Sequence, residues 1–300
     1  MIEAVNVSKQ FEEIKALDKI TATIKEGNVF GLVGTNGAGK STFLRVMSGI
    51  LKPDDGSIKI DGMSVYENTK AKELFFYISD DQYFFSNSTA KDLKRYYKMI
   101  YPKFDDSRFD TLMKQFELDQ NRKINTFSKG MKKQVSIICG ICANTQYIFC
   151  DETFDGLDPV MRQGVKSIFA KEIAERNLTP VIASHNLREL EDICDHVGLL
   201  HKGGILFSKD LFDMKLTIHK IQCVFQEDVN LKQILENIPI LKTEKRGSLY
   251  TITARGASEE ITRKVQAHNP VFYEVLPLTL EEIFISETEV VGYDIKKLIL

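Results

Sequence analysis

Residues 34 to 42 read GTNGAGKST, a loop bracketed by glycines and closed by a lysine and two hydroxyl side chains. The spacing G-x-x-x-x-G-K-[ST] is met at Gly34, Gly39, Lys40 and Ser41. Each residue type has a task at that spacing. Glycines let the N–H groups of Thr35, Asn36, Gly37 and Ala38 turn inward around a phosphate, and the helix entered through Ser41 and Thr42 points its positive end at the anion. Lys40 reaches the β- and γ-phosphates of a nucleotide, and the Ser41 hydroxyl holds Mg²⁺. Such a loop serves kinases, GTPases, motors and transport ATPases alike, so it predicts a phosphate site without naming the reaction.

Downstream, YIFCDE ends an apolar run in Asp151 and Glu152. Two acids at a strand end are commonly just a solvated terminus. Following a phosphate loop they read as a pair with separate roles, Asp151 binding Mg²⁺ and Glu152 orienting and deprotonating the attacking water. A third stretch, FSKGMKKQ at 127 to 134, sets Ser128 and Gly130 around Lys129 and adds two more lysines. By itself it reads equally as a solvated helix start, a nucleic-acid patch or a second phosphate contact.

These groups need a scaffold, and the hydrophobic pattern supplies one. IEAVNVS, ITATIKEG, VFGLVG and GSIKIDG read as short strands in the first sixty or so residues. Leu93, Tyr96, Tyr97 and Ile100, and then Phe109, Leu112, Met113 and Phe116, recur at helical spacing. Thr89 with Asp92 forms a capping-box start for the first of these helices. YIFC and PVIASH read as buried parallel strands separated by helix, as an α/β core requires. From about residue 215 the pattern changes to HKIQCVF, SLYTITA and VFYEVLPL as strands, with LKQILEN and EEITRKVQAH as helices between them. That predicts a small α+β domain over 215–300.

The bulk numbers agree with a globular chain of this size. Of 300 residues, 43% are hydrophobic and 27% charged, which excludes a disordered chain. A net charge of −2 and a pI near 6.3 argue against a dedicated nucleic-acid binder. No run approaches the roughly 20 apolar residues of a membrane span, and the N-terminus lacks an apolar signal core, so a cytosolic chain is expected. Cys139 and Cys142 form a C-x-x-C, but no further ligands stand nearby and both fall in the apolar VSIICGICA, which predicts core packing rather than zinc.

Taken together, the phosphate loop, FSKGM and the acidic strand resemble the ATPase subunit of an ATP-binding cassette (ABC) transporter, over residues 1 to about 214. The resemblance implies an α/β P-loop NTPase (RecA-like) core with an antiparallel β subdomain and an α-helical subdomain at about 84–130. It implies ATP and Mg²⁺ as cofactors, and a head-to-tail dimer with a second ATPase subunit, a copy or a paralogue. Ser128, Lys129 and Gly130 of FSKGM would then cap, in trans, the nucleotide held by the other subunit. Lys129 stands where the family's L-S-G-G-Q has a glycine, and Met131 where it has glutamine. DGLD at 155 to 158 resembles the dimer-contacting turn, here Gly156, Leu157 and Asp158, and His185 matches the switch histidine beside the γ-phosphate. Phe11 stands where the family stacks an aromatic on adenine. At the family's glutamine loop, alignment puts Asp80 rather than Gln82 at the Mg²⁺-side position, and either carries a suitable oxygen.

The resemblance further implies an integral membrane permease as a separate chain, which would hold this subunit on the cytoplasmic side of the cell membrane. PLTLEEIFI at 277 to 285 is similar to the ending of bacterial ABC-2-type export ATPases. Within that branch FFYISDDQYFF, FDGLDP and SHNLRELEDICDHVGLL are most similar to Gram-positive systems exporting peptides, of the phenol-soluble modulin and bacitracin types. The competing class is a soluble ABC ATPase acting on ribosomes or DNA. A single cassette, no long coiled-coil insertion and an acidic pI count against it, so no nucleic-acid partner is expected.

Overall fold

The computed structural model describes residues 1–226 and 229–290. The chain divides into two compact units, Met1–Ser208 and a second from Lys209 onward, slightly before the change of pattern at 215.

In the first unit a hairpin of β1 (Ile2–Phe11) and β2 (Ile14–Ile24) precedes β3 (Phe30–Val33), which runs through the glycine loop into α1 (Lys40–Met47). Then come β4 (Asp55–Ile60), β5 (Met63–Ser64), the short α2 (Thr69–Lys72) and β6 (Phe75–Ile78). Three helices follow: α3 (Ala90–Ile100), α4 (Asp106–Gln115) and α5 (Lys129–Cys142). The remaining elements are β7 (Tyr147–Asp151), α6 (Pro159–Arg176), β8 (Thr179–Ser184), α7 (Leu187–Glu191), β9 (His196–His201) and β10 (Gly204–Asp210).

The strands form two sheets. One is antiparallel with order β2-β1-β4-β5, and the other has order β10-β9-β3-β8-β7-β6 with parallel pairing from β9 through β6. The central strands β3, β7 and β8 are buried along their whole length, which explains their unbroken apolar runs. One core joins both sheets and α1: Ile2, Val7 and Leu17 pack in the same cluster as Phe30, Phe43, Phe149 and Val181. Each such side chain contributes roughly 1.5–3 kcal/mol by leaving water. Because β3, β8 and β7 are parallel neighbours, the residues at their C-terminal ends emerge at one edge of the sheet. Those residues are the glycine loop, His185 and Asp151–Glu152.

The Thr89–Asp92 capping box opens α3 as the sequence predicts. Helix α5 packs against α3 and α4. It carries Ser128 as its N-cap and runs on to Cys142, well past residue 130.

The second unit contains α8 (Leu211–Thr217), β11 (Ile218–Val224), α9 (Leu231–Ile234), β12 (Ile240–Arg246), β13 (Leu249–Arg255), α10 (Ser258–Gln266), β14 (Phe272–Leu276) and α11 (Leu280–Val290). Its sheet is antiparallel with order β12-β13-β11-β14, over a core of its own that includes Ile221, Leu235, Ile252 and Ile261. Strand β12 is not evident in the sequence. It lies at the sheet edge, where ILKTEKR can stay largely charged and lacks a buried face. Among the described residues no helix is long and apolar enough to cross a membrane.

Candidate active site

The glycine loop closes on α1 through Gly39, whose φ of 105° lies in the left-handed region. A side chain there would also collide with the Ala16 carbonyl oxygen, 2.5 Å from an ideal Cβ. Thr35, Asn36 and Gly37 are exposed at the loop's outer turn, and Ala38 is buried beneath it. The buried Lys40 turns its Nζ back over the loop, donating to the carbonyls of Gly34 at 2.8 Å and Thr35 at 3.2 Å.

The acidic strand end meets this loop. Ser41 Oγ donates to Asp151 Oδ1 at 2.9 Å, and Tyr77 on β6 donates to Asp151 Oδ2 at 3.2 Å. Burial pushes the Asp151 carboxyl above its ordinary range, against the hydroxyls of Ser41 and Tyr77 and the positive charge of Arg45. Burial, reinforced by the Asp151 charge, pushes the Tyr77 hydroxyl up to about 12. Next in sequence, Glu152 sits between two nitrogens: Oε1 lies 3.3 Å from Lys40 Nζ, and Oε2 lies 2.8 Å from His185 Nδ1. Its backbone is left-handed, with φ at 46°, a conformation costing about 1–2 kcal/mol for a residue with a Cβ. Three polar contacts hold it: Glu152 N–H donates to the Ala183 carbonyl at 3.0 Å, and the Glu152 carbonyl accepts Lys133 Nζ at 2.5 Å and the Asp155 N–H at 3.3 Å.

FSKGM forms the start of α5. Ser128 Oγ accepts the Met131 N–H at 3.2 Å, Lys129 is exposed, and Gly130 lies against the turn after the acidic strand. A methyl on Gly130 would stand 3.1 Å from the Gly156 carbonyl oxygen. In that turn Gly156 and Asp158 are exposed, and Asp158 caps α6 by accepting the Met161 N–H at 2.9 Å. Leu157, expected with them at a dimer contact, instead points inward and is buried, because an apolar side chain beside Phe154 gains more from the core than from the surface. Phe11 is 43% exposed at the end of β1, with Lys9 Nζ 5.6 Å from its ring centroid, so it is no core residue. Asp80 is exposed and pairs with Lys133 Nζ at 3.2 Å, whereas the Gln82 Nε2 is buried without a hydrogen-bond partner.

Two of these residues escape a sequence reading. Tyr77 faces Asp151 only because β6 and β7 are parallel neighbours, with Tyr77 paired to Phe149, and nothing in FFYIS announces that. Lys133, one of the lysines whose sequence reads as a solvated helix start, a nucleic-acid patch or a phosphate contact, is 1% exposed and points into the protein. A signal for it exists: Lys133, Ile137, Gly140 and Ile141 recur at helical spacing, and all four are buried. Cys139 and Cys142 lie in the core of α5, and burial raises both thiols, Cys142 to about 12.

The residues suit a magnesium nucleotide. Ser41 and Asp151 offer only oxygen, the donor set of a hard divalent cation that takes its remaining ligands from phosphate and water. The start of α1 and Lys40 offer N–H groups and positive charge to the phosphates. The comparisons with known proteins agree. Residues 17–155 match the ABC transporter family model. The chain is 34% identical, over 96% of its length and 98% of the other's, to the ABC transporter ATP-binding protein YtrB of Bacillus subtilis (strain 168). It belongs to the ABC transporter ATP-binding family. As a member it is an ATPase coupled to transport and binds ATP with Mg²⁺. It is also 30% identical to the bacitracin transport ATP-binding protein BcrA of Bacillus licheniformis, over 69% of this chain and 68% of that one. Among solved structures, an ATP-binding subunit of an ABC transporter superposes with a TM-score of 0.66 at 26% identity, covering 72% of this chain and 92% of the other. A dimeric post-hydrolysis cassette bound to ADP and Pi has the same fold, with a TM-score of 0.62 at 23% identity over 70% of this chain and 99% of its own.

Proposed function

We propose that this ABC ATPase hydrolyses ATP with Glu152 as general base, in a head-to-tail dimer that drives a separate membrane permease exporting peptides or other amphipathic molecules. The observation that carries the reading is the placement of Glu152, its carboxylate held between Lys40 Nζ and His185 Nδ1 beside the Ser41–Asp151 pair. Lys40 and the loop N–H groups of Gly34 to Thr42 hold the phosphates, and Phe11 offers an exposed ring to the adenine. Ser41 and Asp151 would hold Mg²⁺, with Asp80 or Gln82 as the further candidate ligand. Bound Mg²⁺ supplies charge neutralisation at the phosphate oxygens. Glu152 takes the proton from the attacking water, and His185 fixes the carboxylate oxygen facing that water.

Ser128, Lys129 and Gly130 act in trans on the partner's nucleotide. Gly156 and Asp158, exposed beside them, form the dimer contact. For the permease, two features of the first unit give support. A groove of about 450 Å³ is lined by Ile50, Phe76, Tyr97, Ile100 and Tyr101, and nearby Tyr83 and Phe85 are 83% and 48% exposed. Exposed aromatic side chains of this kind anchor protein interfaces. A permease bound there would hold the subunit at the cytoplasmic face of the membrane. The peptide substrate class rests on similarity to the bacitracin transport protein.

Glu152→Gln tests the reading. Removing a general base typically slows turnover about 10²–10⁴-fold, while the phosphate loop stays intact. The variant should bind ATP, hydrolyse it at least a hundred-fold more slowly, and accumulate as an ATP-bound dimer on size-exclusion chromatography. Wild-type turnover in Glu152→Gln would remove Glu152 from the mechanism.

A further inference from the structure

Lys133 brings three parts of the site to one point. It lies on α5, which begins at Ser128; its ammonium donates to the Glu152 carbonyl at 2.5 Å and to Asp80 Oδ1 at 3.2 Å. A cation 1% exposed must find partners, because burying a charge unpaired is far more costly than burying it bonded. Its partners here are the left-handed residue that carries the proposed base and the loop that leads to Tyr83.

We infer that Lys133 is a positioning residue that holds Glu152 in its left-handed backbone, so that the carboxylate stands between Lys40 and His185. The carbonyl oxygen has two lone pairs. One accepts the Asp155 N–H at 3.3 Å, and the shorter, charged bond comes from Lys133. Without that bond the carbonyl is half-satisfied in a half-buried site, and the residue can relax toward ordinary φ. Relaxation swings the Cα–Cβ bond and carries the carboxylate away from the water it must meet. A misplacement of about 1 Å costs roughly a hundred-fold in rate. Lys133 forms no hydrogen bond with the phosphate loop, so binding of nucleotide without metal should change little on its removal. Asp80 secures the other end of the ammonium, which places its exposed loop and the proposed base on a single side chain.

This inference rests on Glu152 being the base, and the test separates the two. Lys133→Met keeps an unbranched side chain one atom shorter and removes every donor; Lys133→Gln, also one atom shorter in reach, keeps a neutral N–H donor. Each is measured beside Glu152→Gln for kcat, KM for ATP, direct binding of a fluorescent ATP analogue, and thermal unfolding. Lys133→Met should melt cooperatively, bind the analogue within about two-fold of wild type, and lose at least about ten-fold in kcat. Lys133→Gln should recover most of that loss, since the carbonyl regains a donor. A purely structural lysine would lower binding and turnover together and would not be rescued by glutamine, and that result overturns the inference. Wild-type kcat in Lys133→Met with an inactive Glu152→Gln also overturns it, leaving the base in place. If Lys133→Met does not fold, Lys133→Gln decides: kcat within about three-fold of wild type at unchanged binding supports the inference, and a kcat at least about ten-fold lower despite the retained donor refutes it.

Discussion

Tyr77 and Asp151 face each other across two parallel strands, and the tyrosine hydroxyl donates to the carboxylate oxygen that Ser41 leaves open. The buried carboxylate is therefore held at both oxygens. Tyr77→Phe frees one of them and lets the group rotate. The Mg²⁺ concentration for half-maximal ATPase should rise several-fold, while metal-free nucleotide binding stays at the wild-type value. An unchanged Mg²⁺ requirement would make the tyrosine a packing residue only.

Burial raises the Asp151 carboxyl above 3.8, so the folded chain keeps this proton over a range where the unfolded chain has lost it. Stability from this group is greatest below 3.8 and falls as pH climbs through the raised folded value. Asparagine does not ionise. Metal-free Asp151→Asn should thus melt above wild type near neutral pH, and the gap should close as pH falls below about 4. A gap of constant size across the titration would exclude ionisation as its source.

Lys40→Ala removes the cation that lies against the loop carbonyls and the Glu152 carboxylate. Charge-assisted hydrogen bonds contribute about 1.5–3 kcal/mol each, so ATP affinity should fall about ten-fold or more. Ser128→Arg should leave binding by separated subunits intact and prevent ATP-driven pairing. Mixing the two variants should give at most one working site per dimer, readable as half-site nucleotide occupancy. Two working sites would contradict action in trans.

Tyr83→Ser should weaken capture by the permease and reduce export while ATP turnover of the isolated subunit stays near wild type. Pull-down and ATPase assays on the same preparation read both. Parallel loss would mean that the ring supports the helical region through its edge contact with Phe85.

Cys142→Ala should retain ATPase activity and lose roughly 1 kcal/mol of stability, the usual effect of trimming a buried side chain. Elemental analysis of the wild type should find no zinc. Stoichiometric zinc that disappears together with activity would contradict core packing of the pair.

What was legible in the sequence, and what was not, follows from the range of the physics. Gly34 to Thr42 and the Asp151–Glu152 pair are local: the loop needs its glycines in sequence, and the acids need only end a buried strand. The Thr89–Asp92 cap is readable for the same reason. Tyr77 becomes a partner of Asp151 through strand pairing, which its neighbours do not encode. Lys133 was hidden by its company, since two adjacent lysines suggest solvent while the helical spacing from Lys133 to Ile141 points inward. Leu157 sits between exposed Gly156 and Asp158 and shares a motif with them, yet its apolar side chain follows the core. Strand β12 pairs along a sheet edge and so needs no apolar alternation.

A side chain on Gly130 would press on the Gly156 carbonyl oxygen, 3.1 Å from an ideal Cβ, so the start of α5 lies against the turn that follows Glu152. In the proposed head-to-tail pair, the segment that would meet the partner's nucleotide thus touches the turn that follows this subunit's own Glu152. That contact would give each pocket of such a pair a route to the other. If the contact couples the two pockets, turnover should depend on ATP concentration with a Hill coefficient above one.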